Sequence, residues 1–167
     1  KALAKRRVGT QNLTCVIVRT QDAWIRDYGP TFLVKPSRLD SNSKSKAWCK
    51  WKFNAWGGKY RMLASDTHVF SQAMKPMPDL RFAADFVLEG GSIEVNGIGT
   101  CLTTEQCLLN RNRNPHLSRE QIEGNLKSHL GVQQILWLEE GVAGDDTDGH
   151  IDDIAAKYIL PDEGTFD

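Results

Sequence analysis

The chain has 167 residues, 40% of them hydrophobic, enough for one domain with a real core. Its 21 basic and 21 acidic side chains cancel, so no general field draws it to nucleic acid or to an anionic membrane surface. No apolar run approaches the roughly 20 residues that span a bilayer, and the four cysteines form no CxxC pair, a usage that suits a reducing compartment and a cytoplasmic protein.

The basic opening, Lys1 to Arg7, reads as a solvated end, and the sequon at Asn12-Leu13-Thr14 as a chance match. Thr14 to Arg19 is short, apolar and β-branched, which predicts a strand, as do Thr31 to Val34 and the alternating stretch Trp48 to Phe53. Between the first two, Gly29-Pro30 breaks regular structure. Ser37 to Lys46 reads as a polar surface loop. Val69, Phe70, Ala73 and Met74 recur at helical spacing, with Asp66 or Thr67 as N-cap and Pro76 as terminator. Phe86 to Leu88 predicts a strand. Ile93 and Val95, then Asn96-Gly97, then Cys101 to Thr103 spell a hairpin. Ser118-Arg-Glu-Gln121 is a capping box, Ile122, Leu126 and Leu130 share a helical face, and Gly131 ends that helix. Gln134 to Leu138 and Ile154 to Leu160 predict further strands. The later half therefore reads strand, strand, helix, strand, and the earlier half allows the same order. No composition shift divides the chain, so residues 1–167 are read as part of one α/β domain. It opens on Lys and stops soon after the last predicted strand, which reads as a piece of a longer protein.

Three segments carry chemistry. Gly144 to Asp153 packs five acids and one histidine into ten residues. His150 suits proton transfer near neutral pH, and the carboxylates around it would hold it charged; in an extended chain Asp152 points the same way. Asp145, Asp146, Asp148, His150 and Asp152 also offer metal ligands, but without the spacing of a calcium loop or the paired histidines of a zinc site; no metal is expected. Asp27, next to Arg26 and a Gly-Pro turn, is either a carboxylate aimed into a cleft to grip a planar cation or a surface pair with Arg26. Trp24 either lines such a cleft or packs in the core, and the other tryptophans are assigned to core or cleft wall. Glu89 ends a strand before Gly90-Gly91, which permits close backbone approach around a proton acceptor or an ordinary turn.

Six stretches, in order, resemble the agmatine deiminase family, related to the Porphyromonas-type peptidyl-arginine deiminases: Asp22 to Pro30, Phe53 to Tyr60, Val87 to Gly97, Gly99 to Asn110, Asn112 to His116 and Gly144 to Asp153. The resemblance implies the pentein fold, a propeller of five ββαβ units, of which this chain would supply two to three. It implies hydrolysis of agmatine to N-carbamoylputrescine and ammonia, in putrescine and polyamine biosynthesis, with no cofactor, through a covalent intermediate on a cysteine thiolate. Asp27 and Asp152 would clamp the guanidinium, Glu89 and His150 would handle protons, Trp24 would line the cleft, and Asp146 would meet the distal ammonium. The partner expected is the small guanidinium substrate, with no nucleic acid and no membrane, and with room for a homo-oligomer.

The family's nucleophile lies in a Gly-Gly-Asn-Ile-His-Cys-like motif that this sequence does not contain. Cys15, Cys49, Cys101 and Cys107 read as inert thiols, no nucleophile is assigned, and the chain alone is expected to be inactive. Two alternatives stay open: a truncated, non-catalytic homologue acting as a binding or assembly subunit, and a relative that acts on peptidyl-arginine.

Overall fold

The computed structural model describes residues 15–36, 44–73 and 80–155. It contains two three-stranded sheets with the same topology. In the first, β1 (Thr31–Pro36) pairs antiparallel with β2 (Lys44–Lys52), which pairs parallel with β3 (Leu80–Val87). In the second, β4 (Ile93–Val95) pairs antiparallel with β5 (Thr100–Thr104), which pairs parallel with β6 (Gln134–Leu138). A parallel pair needs a crossover, and helices supply it in both cases. The first crossover holds a 3-10 helix at Arg61–His68 running into α2 (Val69–Ala73). The second holds α3 (Glu105–Leu108) and α4 (Arg119–Leu130). A one-turn helix, α1 (Ile25–Tyr28), precedes β1. The expected α/β class and the strand–strand–helix–strand order thus appear twice.

Local chemistry explains the second unit well. At α4 the Ser118 hydroxyl accepts from the Gln121 amide and the Gln121 side chain accepts from the Ser118 amide, so both halves of the capping box form. Gly131 ends the helix at φ 70°. Ile122 and Leu126 turn inward onto a core with Cys101, Cys107, Leu108, Phe86 and Leu88. Trp51 joins that core and stacks edge-on against Phe86. A smaller cluster of Tyr28, Phe53, Ala55, Trp56 and Val69 underlies the N-terminal approach.

Several expectations are corrected. Residues 15–20 form no strand, and Ile17 is almost fully exposed: strand propensity reflects fit to a neighbouring strand, and none lies beside this segment among the described residues. Lys44 to Lys46, assigned to a loop, continue β2. The expected helix is limited to Val69–Ala73, with the 3-10 turn before it; Met74 and Pro76 lie outside the described residues. Asp66 does not cap it. Its carboxylate accepts the Gln21 and Asp22 amides instead, which anchors the approach to α1. Ile154 lies in a turn that hydrogen-bonds back to Ile151, and the rest of the strand expected there lies outside the described residues.

Candidate active site

Beside α1 a cleft of about 670 Å³ opens, lined by aromatic rings (Trp24, Trp56, Tyr60) and by carboxylates of the N-terminal approach and the 145–153 loop. Its floor is built around Gly91. A methyl group there would sit 2.4 Å from Nδ1 of His150, 2.7 Å from Oδ1 of Asp27 and 2.9 Å from Oδ2 of Asp152. Three side chains from two distant segments, Asp27 from one and His150 and Asp152 from the other, therefore converge on a position that only glycine leaves open. Gly90 has the same reason: a Cβ there would lie 2.0 Å from the Arg26 carbonyl oxygen. The Glu-Gly-Gly sequence is a close-approach device, not an ordinary turn.

Asp27 is buried and held by two donors. The Gly91 amide donates to Oδ1 at 2.9 Å, and the Trp56 indole donates to Oδ2 at 3.0 Å. Burial raises its pKa, and these two donors oppose the rise. The alternative of an Arg26–Asp27 surface pair does not form. Arg26 instead reaches Asp152 at 3.3 Å and Glu94 at 3.0 Å. Asp152 is also raised by burial, with Arg26 pulling the other way. Trp56 reaches Asp27 from a left-handed turn, with Ala55 at φ 58° and Trp56 itself at φ 54°. Such backbone is costly for residues with a Cβ, and the buried indole–carboxylate bond helps to hold it.

The acidic loop is ordered from within. The Asp145 carboxylate accepts the Thr147, Gly149 and His150 amides and the Thr147 hydroxyl. Burial works against its ionisation, but those donors win and keep its pKa low. Asp148, at φ 66°, is fixed by Lys59, Asn112 and Arg113. These donors outweigh burial and hold it at about 2. With its amide so anchored, His150 is buried, Nδ1 facing Asp27 at 3.7 Å and Asp152 at 3.9 Å. The sequence predicts a charged imidazole there. The structure gives the opposite: burial, followed by the positive field of Arg113, outweighs the attraction of the carboxylates and pushes His150 down to about 4. The resting imidazole is neutral and can accept a proton.

Arg113 is the residue the sequence reading missed. It is buried, and donates from Nε to Oε1 of Glu89 at 2.8 Å, from Nη2 to the Thr147 carbonyl at 2.8 Å, and from Nη1 to Asp148 and Asn112. Gly57 makes room for it, since a Cβ there would come within 2.7 Å of Nη1. Its neighbour Asn114 pairs both ways with the Val87 backbone and so holds the end of β3 next to Glu89. The signal was present as an arginine between two asparagines at 112–114, but nothing in that triplet names its partners.

Glu89 is fully buried. Burial raises its pKa, and Arg113 opposes that. Its Oε2 and Nε2 of His150 are both buried without a hydrogen-bond partner. Cys107 lies close by: one ligand atom each from Glu89, Cys107 and His150 fall within 4.8 Å of one another. This is the one set with metal-like proximity among the described residues, and it fits a cation poorly. Arg113 already occupies Glu89 with a fixed positive charge, and burial pushes the Cys107 thiol far above its ordinary value. The same cause lifts Cys49 to about 11 and Cys101 to about 12, and Cys15 is exposed.

At the rim, Trp24 is 61% exposed, which removes its core-packing alternative. Asp146 lines the cleft, and its Oδ2 accepts the Tyr60 hydroxyl at 2.9 Å. The structure thus gathers Trp24, Asp27, Asp146, His150 and Asp152 around one cavity, with Glu89 buried beneath. Such a site can bind a flat cation between carboxylates and move a proton through a neutral imidazole.

The family model for Porphyromonas-type peptidyl-arginine deiminase matches residues 1–163. The chain is 45% identical over 165 residues to an agmatine deiminase of Pseudomonas syringae pv. tomato, covering 96% of this chain and 43% of that protein. It is 47% identical over 153 residues to one from Medicago truncatula, covering 87% and 41%. Among solved structures it resembles the agmatine deiminase of Enterococcus faecalis with a TM-score of 0.74 and 37% identity, over 90% of this chain and 40% of that one. A cysteine-to-serine form of the C. jejuni agmatine deiminase, solved with substrate bound, matches with a TM-score of 0.70 and 41% identity, over 84% and 40%. The chain therefore spans well under half the length of the relatives it matches.

Proposed function

The chain belongs to the Porphyromonas-type peptidyl-arginine deiminase family, and from that premise we propose that the protein carrying it hydrolyses agmatine to N-carbamoylputrescine and ammonia. On this reading residues 1–167 are part of a single pentein-type domain, and the nucleophilic thiolate comes from outside them. The observation that carries the proposal is the convergence of Asp27, His150 and Asp152 on Gly91 at the floor of an acidic cleft.

The chemistry follows from that geometry. A guanidinium is a weak electrophile because its charge is delocalised. Two carboxylates that accept its N–H groups fix its carbon for attack, a proximity effect. Neutral His150 takes the proton of the incoming thiol as sulfur bonds to the guanidinium carbon. It gives that proton to the nitrogen whose bond to carbon breaks, and ammonia leaves. Neutral again, it takes a proton from water as oxygen bonds to the same carbon. As the carbon–sulfur bond breaks, the imidazolium returns its proton to the departing sulfur, the hydroxyl loses its proton to solvent as the carbonyl forms, and the urea product is released with the thiol and neutral imidazole restored. Glu89, behind the imidazole, accepts protons or steadies charge during these transfers. The buried thiols of the chain are poor candidates for the nucleophile, since burial disfavours the thiolate that attack requires.

Agmatine is favoured over peptidyl-arginine by the charge of the cleft. Asp22, Asp145, Asp146 and Asp153 line it along with Asp27 and Asp152, and the one cation lining it among the described residues, Arg26, is already paired. A second ammonium is attracted there, at Asp146 on this reading, and the neutral backbone of a peptide gains nothing comparable. A non-catalytic subunit would have no need of this assembled site. Ureido product should be measured with the complete enzyme on agmatine and on an arginine peptide, and for Asp152→Asn. Agmatine should be turned over far faster, and the variant should be nearly inactive while folded. Preference for the peptide would overturn the substrate, and wild-type rates in the variant would remove Asp152 from the site. Product formation by residues 1–167 alone would refute an external nucleophile.

A further inference from the structure

We propose that Arg113 is a positioning residue for this reaction: its guanidinium ties Glu89 to the loop bearing His150, and so sets the spacing and protonation of that pair. The inference rests on the reading of Glu89 and His150 as the proton-handling groups.

Arg113 stands back from the cleft. It does not line the cavity and is 3% exposed. Yet its planar fork spans the two halves of the site. Nε binds Glu89 at the end of β3, while the two terminal nitrogens bind Asp148 and the Thr147 carbonyl. These loop groups lie two and three residues before His150. A rigid bidentate donor suits this task because its N–H directions are fixed relative to one another. A lysine, with a single rotatable ammonium, can hold one side or the other but cannot define the distance between them.

Arg113 also acts by charge, and the surrounding groups limit how far. Glu89 is faced by Arg113, Cys107, His150 and Asp27. His150 is faced in addition by Asp145, Asp148 and Asp152 and by Arg26 on α1. Within these sets Arg113 is the one cation in contact with Glu89, which burial otherwise drives toward the neutral acid. The same charge disfavours imidazolium at His150. Removing it therefore raises the pKa of both groups, and the activity limb that needs their basic forms moves to higher pH.

The test uses the complete enzyme with Arg113→Met and Arg113→Lys, agmatine turnover across pH, and 15N NMR titration of His150. Arg113→Met should lower kcat by about 100-fold or more, in keeping with a misplacement of about 1 Å, and move the acid limb of kcat/KM to higher pH. The His150 midpoint should rise with it. Arg113→Lys should keep the limb near wild type but lose at least about 10-fold in kcat, because charge remains and the fork does not. Equal losses in both variants with an unmoved limb and midpoint would mean a merely structural role and overturn the proposal. If Arg113→Met does not fold, wild-type kcat in Arg113→Lys overturns it. A wild-type enzyme inert toward agmatine would sink the function instead, and the NMR midpoint would still decide the role of Arg113.

Discussion

Gly91→Ala adds one methyl group to the complete enzyme at the point where the site converges. Ordinary van der Waals contact begins near 3.4 Å, so Nδ1 of His150, 2.4 Å from the new Cβ, must retreat by 1.0 Å. Oδ1 of Asp27 must move by 0.7 Å and Oδ2 of Asp152 by 0.5 Å. Asp152 is partly exposed and can move, but the two closer neighbours are held. Asp27 is fixed by two donors, one of them the Gly91 amide, and His150 is anchored through Asp145. Overpacking of this kind costs about 1–3 kcal/mol of stability, and displacing a reacting group by about 1 Å costs about 100-fold in rate. The expected result is a folded protein, weakened by about that amount in urea denaturation, with kcat on agmatine reduced by two orders of magnitude or more. Gly124→Ala is the matched control. It makes the same chemical change on an exposed turn of α4, where a Cβ meets nothing within 4 Å. It should stabilise the protein by about 0.5–1 kcal/mol and leave turnover alone. Wild-type kcat in Gly91→Ala would refute the claim that its three neighbours form the reacting site.

Other outcomes follow from the same contacts. Trp56→Phe removes the indole donor from Asp27. A hydrogen bond to a buried charge is worth about 1.5–3 kcal/mol, so KM for agmatine should rise by about 10-fold or more, and the acid limb should move to higher pH because Asp27 loses a group that lowers its pKa; an unchanged KM would show that the indole does not support the clamp. Asp148 is held at about 2 against an ordinary 3.8. Its folded pKa is depressed, so its stabilisation, roughly 2 kcal/mol, is fully present above pH 3.8 and fades as pH falls toward 2. Urea denaturation of wild type and Asp148→Asn should therefore differ at pH 6 and converge as pH falls to about 2; a constant difference would mean that its charge is not what matters.

Elements ruled by local chemistry were legible, and those ruled by distant partners were not. The capping box at Ser118, the stop at Gly131 and the Asn-Gly hairpin need only neighbours within a few residues, and each stands where the sequence places it. The strand expected at 14–19 is absent over residues 15–19, because β-branched residues do not make a strand without a partner and none lies beside them among the described residues. Asp66 had the right identity for an N-cap, but amides some 44 residues away claimed its carboxylate. His150 was misjudged in charge for a related reason. Adjacent acids in sequence suggested imidazolium, whereas burial and Arg113, 37 positions upstream of His150, set the balance.

Residue identity and order alone determined the kind of fold and picked out Trp24, Asp27, Asp146, His150 and Asp152, which the structure gathers around one cleft, and Glu89, which it buries. These are properties of side-chain chemistry and of motifs a few residues long. Only the tertiary structure decided that Gly91 is the meeting point, that Trp56 serves Asp27, that Arg113 joins Glu89 to the 145–150 loop, and that His150 rests neutral. Each of these depends on burial and on contacts between segments tens of residues apart. Electrostatic energies there are set by desolvation and by the nearest fixed charge, which no local pattern in the chain encodes.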